Sequence, residues 1–372
     1  MTPLRVQVID QLSELAPLLD FWSCHARTPL QSPAWMLAWW SEVGAVQGRL
    51  QVLAVRAGEQ WVGLAPCYAR QTWIAGKSLR WLGSGQACTD FQSLIAAPGW
   101  EAPVGQAIAS QLSSSAQAAP WSLIECEGAA PGDPAGEAFA ACLQQRGWRL
   151  NMAPLEHTWR LDVSGGWAGF LRGLSQTQRN QTRNLINRFD KNDALQLRTV
   201  KRLPDVPAAL QACMELHQRR WQASGHAGCF ANPRFTRFLQ AAAGELASAG
   251  KLSLTLLEEH GRPIAAHLAL HDAAGNQFIY QSGRDPARDA ERIGRILTLA
   301  AIRAACDQGI EFIDFLRGDE IYKHRLGAQP TACLRLRWVS PHWLPRLRDQ
   351  VRSTSRQLKQ HLRQLRPAGR PS

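Results

Sequence analysis

Apolar positions in the first half of the chain fall in short runs broken by glycine and polar residues. LQVLAVR (50–56), WVGLAPCYA (61–69), LRWLGSG (79–85) and FQSLIAA (91–97) read as strands of a meander, the first two joined by the turn AGEQ. A helical stretch follows Gly105, then a strand WSLIEC (121–126) and a helix over about 135–146. The second half repeats the plan. KLSLTLLEEHGRPIAAHLALH (251–271) predicts two strands around a glycine turn, and NQFIYQSG (276–283) a third. GRILTLAAIRAACDQG (294–309) predicts a helix and IEFIDFL (310–316) another strand. With Gly105 set over Gly294, the strand after the helix begins sixteen residues on in both halves, as a duplicated α/β unit would require.

Between the repeats, Leu171, Leu174, Leu185, Ile186 and Phe189 leave a wide polar and basic face, which predicts an exposed or half-buried helix. At the far end, Leu344, Leu347, Val351, Leu358, Leu362 and Leu365 recur near helical spacing among arginines, giving a basic amphipathic tail. The expected organisation is an N-terminal domain over 1–160, a basic connecting region over 161–205, a C-terminal domain over 206–342 and the tail over 343–372. Two domains also suit a chain of 372 residues with 45% hydrophobic and 19% charged positions and fifteen tryptophans.

The nine cysteines are scattered, with no C-x-x-C pair, so neither a zinc site nor a disulfide framework is indicated and no metal is expected. No apolar leader or run of about eighteen apolar residues occurs, which predicts a cytoplasmic protein. The net charge of +12 sits mainly in the connecting region and the tail. It fits an acidic partner or peripheral contact with the inner membrane surface through the tail. Nucleic-acid binding lacks any helix-turn-helix, zinc or RNP-like motif.

Two stretches carry candidate chemistry. In RIGRILTLAAIRAA (292–305), Gly294 permits close approach of a ligand. The first-turn N–H groups of Arg295, Ile296 and Leu297 and the helix dipole suit a pyrophosphate, with Arg292 beside them. In DFLRGDEIYK (314–323), Asp319 and Glu320 are candidate bases, Tyr322 a candidate acid, and Arg317 and Lys323 candidate anion binders or holders of the acids. Adjacent acids point to different sides, so at most one need face a cleft. Among the histidines, His267 is the best placed for catalysis, and Tyr280 and Gln281 on the next strand are candidate substrate contacts.

The order of hairpin, third strand, glycine-entered helix and strand resembles the GNAT acyltransferase fold. DFLRGDEIYK, with SPAWMLAWW (32–40) and LRWLGSG, resembles the CelD-like group linked to polysaccharide biosynthesis, itself related to FemAB-type transferases with paired GNAT-like domains. Ile321 and Leu326 stand where that group commonly has a proline and an aromatic. The resemblance implies an α/β (α+β) fold of tandem GNAT-like domains, each a mixed, mostly antiparallel sheet flanked by helices. It also implies acyl transfer from acyl-CoA, acetyl-CoA or longer, to an amine-bearing acceptor. The strand PIAAHLALH would supply backbone contacts to the donor through Ala265 and Ala266. A FemAB-like transfer from aminoacyl-tRNA and a non-catalytic scaffold are the alternatives. ECEGAAPGDP, where the first repeat would carry the motif, lacks a Tyr-Lys pair, which makes the N-terminal unit structural or acceptor-shaping and the C-terminal unit the donor-binding one.

Overall fold

In the computed structural model, which describes residues 3–114 and 121–351, each half of the chain builds a sheet around one parallel pair of strands bridged by a helix. In the first half, Gly76–Trp81 runs parallel to Leu123–Ala129, bridged by the helix Glu101–Ser113. In the second, Gln277–Arg284 runs parallel to Phe312–Arg317, bridged by the helix Ile293–Asp307. Parallel neighbours need such a crossover, whereas the other pairs are antiparallel.

The letters that suggest the duplication have different local causes. Gly294 is the second residue of its helix. Gly105 lies inside Glu101–Ser113, where an added Cβ would stand 2.4 Å from the Ala135 carbonyl oxygen; it allows close packing against the helix Pro134–Gln145. WVGLAPCYA is two strands, Gln60–Ala65 and Cys67–Thr72, in different sheets, because Pro66 between them has no N–H for a ladder. Of FQSLIAA only Ile95–Ala96 is strand.

The two units exchange strands. Thr158–Asp162 lies beside Phe312–Arg317 in the seven-stranded C-terminal sheet. Leu334–Val339 returns to the first half and sits between Leu123–Ala129 and Arg149–Pro154. The expected boundaries at 160 and 342 are corrected accordingly. Leu334, Leu336 and Trp338 join the apolar cluster of the N-terminal sheet, which fixes the register of the returning strand. Residues 161–205 are no separate connector either. The helices Gly166–Gly173 and Gln176–Asp190 pack on Ile293–Asp307, and Leu195–Val200 is the edge strand of the C-terminal sheet.

SPAWMLAWW joins the units. Ser32 Oγ accepts from the Trp35 N–H at 3.3 Å and starts the helix Pro33–Trp39. Trp35 and Trp39 are closed to solvent in a core shared with Phe235, Phe238 and Leu254 of the second half. Of the expected tail, residues 343–351 are helical and the remainder lies outside the described residues.

Candidate active site

The strand Gln277–Arg284 pairs with Phe312–Arg317 only through Gln277 and Phe278, after which the two strands part. Its later residues pair with Arg262–His271 on one edge only. The gap opens into a cavity of about 290 Å3 walled by Ser282, Gly283 and Arg284 from the strand end, Gly294, Arg295, Leu297 and Thr298 from the helix, and Glu320, Tyr322 and Arg325 beyond the partner strand. His267 and Arg220 also face it.

The expected donor strand therefore shifts by one. Ala265 and Ala266 are fully buried, with ladder partners on both sides, Leu257 and Arg284 for one, Leu256 and Gly283 for the other. The open edge belongs to Gln277–Arg284. Gly283 is needed there because an added Cβ would stand 2.4 Å from the His217 backbone nitrogen.

The helix N-terminus is also arranged differently from expectation. Arg292 takes a left-handed conformation, φ 58°, and its carbonyl accepts from Arg295 N–H at 2.9 Å and Ile296 N–H at 3.0 Å. The free donors are one step earlier. Ile293 and Gly294 have no backbone acceptor among the described residues. Ile296 and Leu297 are buried and hold the helix to the sheet.

Cations dominate the wall. Gln178 and Gln181 of the basic helix hold the Arg295 guanidinium at 2.8 and 3.1 Å. Desolvation and the charges of Arg292 and Arg325 lower the Arg295 pKa. Desolvation and Arg284 do the same to Arg220. Arg284 is itself paired with Asp289 at 2.5 and 2.9 Å. Such crowding of like charge favours an anionic occupant. Arg179 is not part of this wall, since it donates to the carbonyls of Leu171, Arg172 and Leu174 and closes the preceding helix.

Of the two acids, Glu320 faces the cavity. Asp319 turns away and accepts from the His157 and Trp159 N–H groups at 3.1 and 3.2 Å. Desolvation opposes its ionisation, but these bonds from His157 and Trp159 prevail and lower its pKa. Lys323 is 2% exposed and its ammonium is engaged within the chain: it donates to the carbonyls of Leu316, Arg317 and Gly318 at 3.0–3.2 Å and lies 2.9 Å from Glu320 Oε2. Arg317 is likewise committed, to Asp90.

Tyr280 points to the other unit, where its hydroxyl donates to the Ala87 carbonyl at 2.9 Å and its ring meets Trp35 edge-on; Gln281 beside it does not line the cavity. Tyr322 does line it, and desolvation followed by the Glu320 charge raises its pKa, so the phenol keeps its proton. His267 Nε2 lies 3.5 Å from Thr298 Oγ1, whose hydroxyl donates to the Gly294 carbonyl at 2.9 Å. The hydroxyl has one proton, so Nε2 is the protonated nitrogen and Nδ1, buried and without a hydrogen-bond partner among the described residues, is the basic one. Burial lowers this imidazole to about 4.

Arg220, Ser282, Gly283, Arg284, Thr298 and Arg325 also line the cavity, and none of them is among the candidates that the sequence singles out. Arg284, directly after the QSG of its strand, has a usable signal. Arg220 has none, as it arrives from a helix that reads as an ordinary amphipathic one.

Residues 176–324 match the family model described as Acetyltransferase (GNAT) domain. No curated protein matches the chain. FemX superposes with a TM-score of 0.61 at 9% identity, over 92% of this chain and 99% of that one. A conserved protein of unknown function from Bacteroides thetaiotaomicron VPI-5482 does so with 0.56 at 13% identity, over 90% and 100%. At these identities the likeness is one of fold, and it extends over both units.

Proposed function

We propose that this chain, whose residues 176–324 form a GNAT-type acetyltransferase domain, transfers an acyl group from acyl-CoA to an amine-bearing acceptor. The observation that carries the reading is the cavity where two strands part, lined by a helix N-terminus, four arginines, Glu320, Tyr322 and His267. The pyrophosphate of the donor would meet the Ile293 and Gly294 N–H groups and Arg295, and its thioester would lie along the open edge of Gln277–Arg284.

Transfer forms a bond from the acceptor nitrogen to the thioester carbonyl carbon and breaks the carbon–sulfur bond. Glu320 or His267 Nδ1 takes the proton from the amine, and the Tyr322 hydroxyl protonates the departing thiolate. The unpaired strand edge offers backbone N–H groups to the carbonyl oxygen. An amino sugar or another component of polysaccharide or envelope biosynthesis is the acceptor class supported by DFLRGDEIYK. The exchanged N-terminal unit shapes its approach.

The test is calorimetric titration of the full chain with CoA, acetyl-CoA and longer acyl-CoAs, alongside Gly294→Glu. Saturable binding abolished by the substitution is expected. Unaltered binding in Gly294→Glu removes the donor site, and salt-sensitive binding of charged tRNA with no affinity for CoA replaces the donor with an aminoacyl-tRNA.

A further inference from the structure

The hairpin between Cys67–Thr72 and Gly76–Trp81 ends in a turn with two large apolar side chains in solvent: Trp73 is 96% exposed and Ile74 73%. The turn is braced, since Ala75 N–H donates to Thr72 Oγ1 at 3.0 Å. None of the described residues covers the tip, and neither side chain lines the acyl-transfer cavity.

A second element meets it. An added Cβ on Gly76, which pairs with Thr72 at the foot of the turn, would stand 2.7 Å from Arg348 Nη1, so a guanidinium from the helical residues 343–351 reaches the hairpin. That segment turns Asp349 inward, where it pairs with Arg149 and Arg337 and bonds Asn151. Its outer side carries Trp343, Leu344, Leu347 and Val351, all exposed. Two elements distant in sequence thus meet at the N-terminal unit, each carrying exposed apolar side chains.

The charged residues beside these tips in sequence are mainly basic. Arg70 and Lys77 flank the hairpin, and Arg346 and Arg348 lie on the helical segment, whose only acid is the buried Asp349. In sequence, residues 352–372 add five arginines and one lysine with no acid. Tryptophan and aliphatic tips ringed by cations suit the boundary of an anionic bilayer, where indole rings sit among headgroups and cations meet phosphates. Nucleic acid would use the tryptophans and cations but gains little from Ile74, Leu344, Leu347 and Val351. No helix among the described residues is long and apolar enough to cross a membrane, so contact would be at the surface.

We propose that the Trp73–Ile74 hairpin tip and the outer side of residues 343–351 together dock this protein on an anionic phospholipid surface. This surface is separate from the acyl-transfer cavity and stands or falls without it.

The test is co-sedimentation of the full chain with vesicles of phosphatidylcholine alone and of phosphatidylcholine mixed with phosphatidylglycerol, at low and high salt. The mixed vesicles should retain the protein, salt should weaken binding, and Trp73→Ser with Ile74→Ser should lower it roughly tenfold. Both positions are exposed, so far-UV circular dichroism should not change. Equal binding to neutral vesicles, or none to either, overturns the proposal. So does binding that is lost on deleting 352–372 but indifferent to the hairpin substitutions. Retention by RNA without retention by vesicles assigns the surface to nucleic acid.

Discussion

Arg317 and Asp90, 227 positions apart, are joined through backbone and side chain together: the Arg317 N–H and Nε each donate to the Asp90 carboxylate at 2.8 Å. Asp90 is 1% exposed, and desolvation raises its pKa against the opposing charge of Arg317. The pair pins the segment that carries Glu320 to the first half of the chain, so the N-terminal unit takes part in holding the site. Asp90→Ala would leave a buried guanidinium without its partner and should cost about 3–5 kcal/mol of stability. Urea unfolding followed by circular dichroism measures it, and a loss below about 1 kcal/mol, the scale of a surface pair, would show the tether to be dispensable.

Lys323 builds the turn that aims Glu320. Leu316 and Gly318 lie in the left-handed region, φ 55° and 129°, and their carbonyls converge on the buried ammonium. Lys323→Met should lower kcat roughly tenfold to hundredfold, short of losing a general base outright, while KM for the acceptor stays near its value. The opposite split, a raised KM with kcat intact, would return Lys323 to the acceptor-binding role its sequence position suggests.

His267 titrates at about 4 in the folded chain against 6.5 unperturbed. Between those values the unfolded chain takes up a proton that the native imidazole refuses. Stability therefore falls as pH drops from 6.5 towards 4, is unaffected by this group above that window, and the slope should flatten in His267→Gln. If His267 accepts the amine proton, the acid limb of kcat/KM reporting it lies near 4. A limb near 6.5 that survives His267→Gln would assign the proton to another group.

The strands Gly76–Trp81, Leu123–Ala129, Gln277–Arg284 and Phe312–Arg317 and the helices between them are legible in the sequence because each rests on local periodicity. The strand exchange is not. TWRLD at 158–162 and LRLRWV at 334–339 alternate as any half-buried strand does, and nothing in alternation says which sheet a strand joins. Orientation fails for a related reason. Asp319 and Glu320 lie past the strand in a turn where period-two parity no longer holds, and only the bonds from His157 and Trp159 decide which one turns away. Tyr280 has strand parity, but that parity carries it with Phe278 into the core shared with the first half.

Two glycines of the cavity should differ in what alanine does to stability. At Gly283 the new Cβ meets the His217 nitrogen at 2.4 Å and the Leu216 carbonyl carbon at 2.7 Å, backbone atoms of a packed helix that cannot swing aside. Gly283→Ala must push Gln277–Arg284 off that helix, costing about 1–3 kcal/mol and disturbing the donor edge, so lowered Tm and weakened acyl-CoA binding should appear together. At Gly294 the new Cβ meets only Arg284 Cδ at 3.0 Å, part of a flexible side chain. Gly294→Ala should keep Tm and weaken acyl-CoA binding modestly, because the helix N–H donors remain while Arg284 shifts. Equal Tm losses in the two variants would show that Arg284 is as rigid as the helix backbone, and its pairing with Asp289 would then be a fixed part of the cavity wall rather than a movable one.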